Sequence, residues 1–282
     1  MLVARRDAEI AARPQVADPH GARRIDRVEV RSVAGVATYV AVPDDHDAIV
    51  EVPDDALNLH LHGGALVFGG GEACRGTASA AAADIGITTW CVDYGMPPGH
   101  PFPRAVEDAL AVYRAVLETR DPSAVVVSGL SAGGNIAAAA LVRARDAGLP
   151  LPAALVLQTP EVDLSESGDT FTTLAGVDTV LSSLLPVNRL YAAGRELTDP
   201  VVSPLFADLT GLPPTLLQSG TRDLFLSNTV RMHRALLAAG VPAELHVFDG
   251  MPHAGFGGGA PEDREVAQLV REFVARHLRR AA

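Results

Sequence analysis

A serine framed by glycines is the first feature with chemical content: Gly129-Leu130-Ser131-Ala132-Gly133. A hydroxyl becomes a useful nucleophile when a base stands beside it and its backbone holds it clear of neighbouring chain. A turn sharp enough to do this packs tightly, so a Cβ at either end would clash, and glycine fits there. The run AVVVS before the motif reads as a strand and NIAAAALVRA after it as a helix. Strand, sharp turn and helix are the context in which such a serine is lifted to the mouth of a sheet, in a strained conformation. The helix N-terminus directly after Ser131 favours developing negative charge. The chemistry this suggests is acyl transfer, with Ser131 attacking a carbonyl carbon.

Such an attack needs a base, an acid to orient it and donors for the oxyanion. His253, in GMPHAGF after the run ELHVF, is the candidate base. Asp223, in SGTRDLFLSN after the run TLLQ, is the candidate acid, holding the imidazole tautomer and stabilising the imidazolium. Asp163, which follows an earlier strand, is the alternative acid. The loop His62-Gly63-Gly64-Ala65 ends the run LNLHL and can aim backbone N–H groups at the substrate oxygen. Phe68 and Leu130 flank these loops and are candidates for apolar pocket lining. Other tempting groups are Asp93, Tyr94, His100 and Glu161; the Asp93–Tyr94 pair reads as supporting structure. His60 and His62, two apart, share one face of a strand and raise a metal pair. No cluster of Asp, Glu or Cys accompanies them along the chain, so their expected role is structural. No metal or organic cofactor is expected.

The elements that must position these groups are legible as short apolar runs alternating with helical stretches. Ile25–Ser32 and Val36–Val42 flank Gly35 and alternate in polarity, as an antiparallel pair at a sheet edge does. Leu57–His62, Thr88–Val92, Ala124–Ser128, Ala153–Leu157, Thr215–Gln218 and Glu244–Phe248 read as further strands. Arg104–Thr119, Asn135–Asp146, Ser227–Ala239 and Glu262–Leu278 read as helices between or after them. This alternation predicts a mostly parallel sheet covered on both faces, with ligands beyond the carboxyl ends of the strands. Leu164–Pro204 breaks the pattern, offering one clear helix around Leu184–Ala193. Long excursions of this kind are usually functional. It is expected to cover the site, joined by the first twenty or so residues with a helix at Leu2–Ala12.

With 282 residues and 48% hydrophobic content, the chain suits one large domain with a buried core. A net charge of −11 argues against nucleic-acid binding. The stretch Arg23, Arg24, Arg27 and Arg31 is more simply a solvated strand face. There is no Lys in the sequence, which excludes Schiff-base and P-loop chemistry. No apolar run approaches the roughly 20 residues of a membrane span, and Met1–Glu9 lacks the marks of a secretory signal. Cys74 and Cys91, with no CxxC spacing, are expected to be reduced, buried thiols in a cytoplasmic protein.

Taken together, HGGALVFGG, VDYGMPPGHPFPRAVEDA, SGLSAGGNIAAA, SPLFADLTGLPPTLLQSG and AGVPAELHVFDGMPHAGF make the chain resemble the hormone-sensitive-lipase-like family of carboxylesterases. These stretches run in family order from about residue 60 to the end. The resemblance implies an α/β-hydrolase fold: a mostly parallel central sheet, helices on both faces, and a small helical cap from about 1–24 and 164–204 within a single domain 1–282. It implies hydrolysis of carboxylic esters by Ser131, Asp223 and His253, with the amides of Gly64, Ala65 and Ala132 as oxyanion donors and Gly63 supporting the loop. Ala65 departs from the family's last glycine and is acceptable provided that residue does not need positive φ. Leu130, Gly95, Glu161 and Ser227 also depart, standing where the family has Asp or Thr, Arg, an aromatic and an acidic residue. They change the surroundings of the pocket and leave the three reacting groups intact.

The expected substrate is a small to medium ester, with no nucleic-acid or membrane partner, and both a monomer and a homodimer stay open. A lactone or amide hydrolase would use the same three residues. A biosynthetic acyltransferase or cyclase would add exclusion of water. A ligand-binding module on the same fold would not need all three, and this chain keeps them.

Overall fold

The eight apolar runs form one sheet. In the computed structural model, which describes residues 25–43 and 52–278, the strands are β1 (Ile25–Val33), β2 (Val36–Pro43), β3 (Leu57–Leu61), β4 (Thr88–Val92), β5 (Val125–Leu130), β6 (Ala154–Gln158), β7 (Thr215–Arg222) and β8 (Ala243–Pro252). Their order across the sheet is β1-β2-β4-β3-β5-β6-β7-β8. β2 runs antiparallel to both β1 and β4, and every other pair is parallel. The site-bearing loops after β3, β5, β7 and β8 therefore leave the same edge of the sheet.

Side-chain alternation splits the core in two. Leu57, Leu59, Leu61, Val125, Val127, Leu155, Leu157 and Leu217 belong to a cluster with α2 (Arg104–Leu117), α3 (Ala132–Asp146) and α6 (Leu226–Ala238). Val126, Ala154, Val156 and Leu216 point the other way, against α7 (Pro261–His277). Beside α7 on that face lies α1 (Glu72–Ile85), whose Cys74, Ala78 and Ala82 pack on β2 and β4. Central strands buried on both sides read as continuous apolar runs for this reason.

Helix α1 has no counterpart among the helices expected from sequence. Its buried stripe is Cys74, Ala78, Ala82 and Ile85, set in the run EACRGTASAAAADI. Small residues surround that stripe on every side, so little polarity contrast marks the face. Between β6 and β7 the excursion carries a single turn, α4 (Thr170–Thr173), and α5 (Leu185–Ala192). On β1, Arg27 and Arg31 pair with Glu29 at the surface, as a solvated face requires. The expected helix Leu2–Ala12, the rest of 1–24, and Arg23 and Arg24 lie outside the described residues. No helix among the described residues is long and apolar enough to cross a membrane.

Candidate active site

Ser131 sits between β5 and α3 with φ 56° and ψ −120°, a conformation L-residues avoid. Three backbone hydrogen bonds hold it there: its N–H donates to the Gln158 carbonyl, and its carbonyl accepts from Gly134 and Glu161. The flanking glycines are needed for space. A Cβ on Gly133 would overlap the Leu61 carbonyl at the end of β3, and one on Gly129 would overlap the Gly133 carbonyl. Packing of the turn on the neighbouring strand thus fixes the serine where it is.

The structure brings the three expected groups together. His253 Nε2 lies 2.9 Å from Ser131 Oγ, and His253 Nδ1 lies 2.9 Å from Asp223 Oδ1. The tautomer with hydrogen on Nδ1 donates to the carboxylate and leaves Nε2 to accept the serine proton. Asp223 is fully buried, with its lone pairs assigned: Oδ1 also accepts the Phe225 N–H at 2.9 Å, and Oδ2 accepts the Ser219 hydroxyl at 2.6 Å. The Phe225 ring meets the His253 imidazole edge-on, centroids 4.9 Å apart, which closes one side of the base to water. Asp263 steadies the loop beyond His253, accepting from the N–H groups of Phe256, Gly258 and Ala260.

Asp163 is not brought to the histidine. It accepts from Ser165 and Ser167 and pairs with Arg231 Nη1 at 2.7 Å. Burial alone would raise its pKa, but the two hydroxyls and the guanidinium outweigh this and hold it below the ordinary carboxylate value.

The His62–Ala65 loop lies against the nucleophile: a Cβ on Gly63 would stand 3.4 Å from Ser131 Cβ and 3.2 Å from the Leu130 carbonyl oxygen. The amides of Gly64, Ala65 and Ala132 donate to no backbone carbonyl among the described residues, so they are available to a ligand oxygen. Below the loop the Gly64 carbonyl accepts from Val67 and Phe68. Phe68 is buried and Leu130 half-buried beside Gly63. Ala65 has φ 52°, so the condition on which alanine was acceptable there is not met. The residue sits in the left-handed region, at a cost of roughly 1–2 kcal/mol that glycine would avoid.

Several contributors carried no signal in the sequence. Asp178, in the excursion after β6, accepts from Leu224 N–H through Oδ2 at 2.8 Å, one residue beyond Asp223. Thr170 donates to the Leu224 carbonyl at 2.8 Å and exchanges two 3.0 Å bonds with Ser227. The excursion is thereby latched to the acid loop. Phe171, Leu174, Leu181 and Val187 pack with Leu184, Phe225 and Ala65 beside the site. Ser227, where the resembled family has an acidic residue, is short enough to make this reciprocal pair. Gly95 leaves room filled by Arg104, which pairs with Asp108.

Glu161 is buried directly behind Ser131 and neither carboxylate oxygen has a hydrogen-bond partner among the described residues. Burial raises its pKa to about 8, only partly offset by the nearby Asn188 amide. The folded state therefore keeps a proton that the unfolded chain releases at the ordinary glutamate value. This contribution to stability is complete at low pH and is lost as pH rises toward about 8. Glu161→Gln should remove the dependence. The stability difference between variant and parent should grow in the variant's favour by up to about 1.4 kcal/mol per pH unit through that window. It should be constant above the window. Denaturant titrations at a series of pH values measure it; a difference independent of pH would show that Glu161 is ionised in the folded protein.

The chain has relatives of known fold and activity. Residues 58–256 match a family described as having the α/β-hydrolase fold. An acetyl-hydrolase of Streptomyces hygroscopicus is 37% identical over 226 residues, 78% of this chain and 76% of that protein. An esterase of Acinetobacter venetianus is 31% identical over 227 residues, 77% of this chain and 74% of that protein. A solved esterase from the bacterial hormone-sensitive lipase family superposes with a TM-score of 0.86 at 34% identity, covering 97% of this chain and 89% of that one.

Proposed function

The chain belongs to the α/β-hydrolase fold family and is an esterase of its hormone-sensitive-lipase-like branch, and from that premise we propose that it cleaves small to medium carboxylic esters through an acyl-enzyme on Ser131. The observation that carries this reading is the hydrogen-bonded chain from Ser131 Oγ through His253 to Asp223, both links at 2.9 Å. His253 takes the serine proton as Oγ attacks the ester carbonyl. The amides of Gly64, Ala65 and Ala132 hold the oxyanion. His253 then protonates the leaving alcohol, and water, activated by the same imidazole, releases the acid. Asp223 keeps the imidazole oriented and stabilises its cation throughout. A serine-directed fluorophosphonate should label the chain once, at Ser131, and abolish hydrolysis of nitrophenyl acetate; labelling elsewhere with activity retained would refute the assignment.

In this reading the excursion 164–204 is a cap. Its latch to Leu224 and Ser227, and the apolar cluster it builds with Ala65 and Phe225, support a bounded pocket rather than an open groove. A cytoplasmic place of action also belongs to the reading, supported by two buried cysteines that are not joined in a disulfide. Each methylene that fits an apolar pocket contributes about 0.8 kcal/mol, and each one past the wall is strained or left in water. Across acetyl to palmitoyl nitrophenyl esters in monomeric solution, kcat/KM should rise, peak at a short or medium chain, and fall. A steady rise to palmitoyl, or a jump in rate at a lipid interface, would defeat the bounded pocket.

A further inference from the structure

Behind the oxyanion loop, away from the triad, three chemically different donors converge. A ring nitrogen of His62, the Cys74 sulfur and an Asp93 carboxylate oxygen lie within 4.8 Å of one another. Their elements are far apart in sequence: the end of β3, the start of α1 and the end of β4. The sequence pairs His62 most naturally with His60, but His60 turns to Ser128, with Nδ1 2.7 Å from its hydroxyl. His62 itself is fully buried, and its Nε2 has no hydrogen-bond partner among the described residues. Nδ1 is engaged 2.8 Å from the Gly63 carbonyl, which puts the hydrogen on Nδ1 and leaves a bare lone pair on Nε2. A backbone carbonyl fixing the tautomer is the usual second shell of a metal-bound histidine. Burial lowers the imidazole pKa to about 4, so the ring is neutral. Tyr94 stacks on it at 4.0 Å and its hydroxyl donates to the His62 carbonyl, which fixes the ring plane. Asp93 is half-buried beside Gly70 and Gly71 and gives the cluster its opening to solvent.

A buried lone pair without a donor is costly and calls for an explanation. We propose that His62, Cys74 and Asp93 form a binding site for a zinc-class divalent cation, with water as fourth ligand, and that its occupation restrains the oxyanion loop. One nitrogen, one thiolate sulfur and one carboxylate oxygen are a donor set that zinc accepts and that magnesium and calcium do not. Zn²⁺ replaces the Cys74 thiol proton, which leaves to solvent. Cys74 Sγ lies 3.4 Å from Cys91 Sγ, and because binding releases the Cys74 proton it strengthens as pH rises. Zinc bonds of about 2.0–2.3 Å bring tetrahedral donors to roughly 3.5 Å from one another, so donors spread over as much as 4.8 Å draw together by up to about 1 Å. His62 leads directly into Gly63, Gly64 and Ala65, so this movement shifts the oxyanion amides, and a shift of about 1 Å can cost on the order of a hundredfold in rate.

The test is calorimetric titration of the full chain with zinc chloride, in a phosphine reductant that keeps both thiols reduced, together with cobalt(II) absorption. One ion per chain is expected, with a thiolate-to-cobalt charge-transfer band. Cys74→Ser should lose the band and weaken zinc binding by more than roughly tenfold, and Asp93→Asn should weaken it too. Failure of the wild-type chain to bind zinc, or a band that survives in Cys74→Ser, overturns the site. Zinc should lower kcat on nitrophenyl acetate, with KM little changed, in the wild type and not in Cys74→Ser, whose zinc-free activity should match the parent. Equal inhibition of both would overturn the restraint of the loop. The calorimetric arm does not depend on esterase activity, so a failure of the hydrolase assignment is distinguishable from a failure of the metal site.

Discussion

Ser131→Ala should leave a folded protein whose esterase turnover has fallen by about a millionfold, the scale of losing a triad nucleophile. Among the described residues no other hydroxyl takes its place: the side-chain hydrogen bond of His253 Nε2 is to Ser131 Oγ, at 2.9 Å. What remains would be the contribution of the oxyanion amides and of binding. A purified, folded variant that keeps more than a few per cent of parental turnover would remove Ser131 from the mechanism. The backbone makes a second, independent statement. At φ 56° and ψ −120° the residue is strained, and strain of this kind costs on the order of 1–3 kcal/mol. The bonds from Ser131 to Gln158, Gly134 and Glu161 hold it in place. Glycine adopts such angles freely, so Ser131→Gly should melt no lower than the parent. A clearly lower Tm would mean that the turn is not strained.

What the sequence makes legible here follows from what the fold demands. The elbow can be read because its glycines are dictated by local sterics: Gly129 and Gly133 sit where carbonyl oxygens of the turn and of β3 leave no space. Asp223 can be read because it follows β7, buried from Thr215 to Gly220, and His253 because it follows β8, an edge strand whose half-buried Leu245 and Phe248 still mark it as an apolar run. The strands and five of the helices fall within a few residues of their expected places for the same reason. Features that arise only from three-dimensional packing cannot be read this way. Helix α1 hides because its buried stripe of Cys74, Ala78 and Ala82 is no more apolar than the alanines around it. Asp178 looks like any polar loop residue until the excursion folds back and presents it to Leu224. The left-handed turn at Ala65 is invisible because alanine carries no mark of the angle it has been forced to adopt. His62, Cys74 and Asp93 meet only through the β3–β4 pairing and the docking of α1.

Asp223→Asn should keep the fold and lose turnover by a factor on the order of 10⁴, and the hydrogen-bond pattern says why. Three donors point at this carboxylate: the His253 Nδ1–H and the Phe225 N–H at Oδ1, and the Ser219 hydroxyl at Oδ2. An asparagine has one acceptor oxygen. Placed on the Oδ1 side, it satisfies both N–H groups, and its amide can face Ser219, whose hydroxyl rotates to accept. The tautomer is then kept and the loss is electrostatic, because no negative charge answers the imidazolium. Placed the other way, the amide opposes the Phe225 N–H and forces hydrogen onto Nε2, so the base can no longer accept from Ser131. The first orientation weakens proton transfer and the second blocks it, and neither leaves a large cavity. Asp163→Asn is the control. Its carboxylate is held by Ser165, Ser167 and Arg231 rather than by a histidine, so this change should lower Tm and leave kcat within a few-fold of the parent. The opposite pattern, turnover lost in Asp163→Asn and kept in Asp223→Asn, would move the acid to the strand after the elbow. The geometry opposes this, because Asp223 already stands at 2.9 Å from the imidazole and Asp163 has spent its lone pairs on two serines and an arginine.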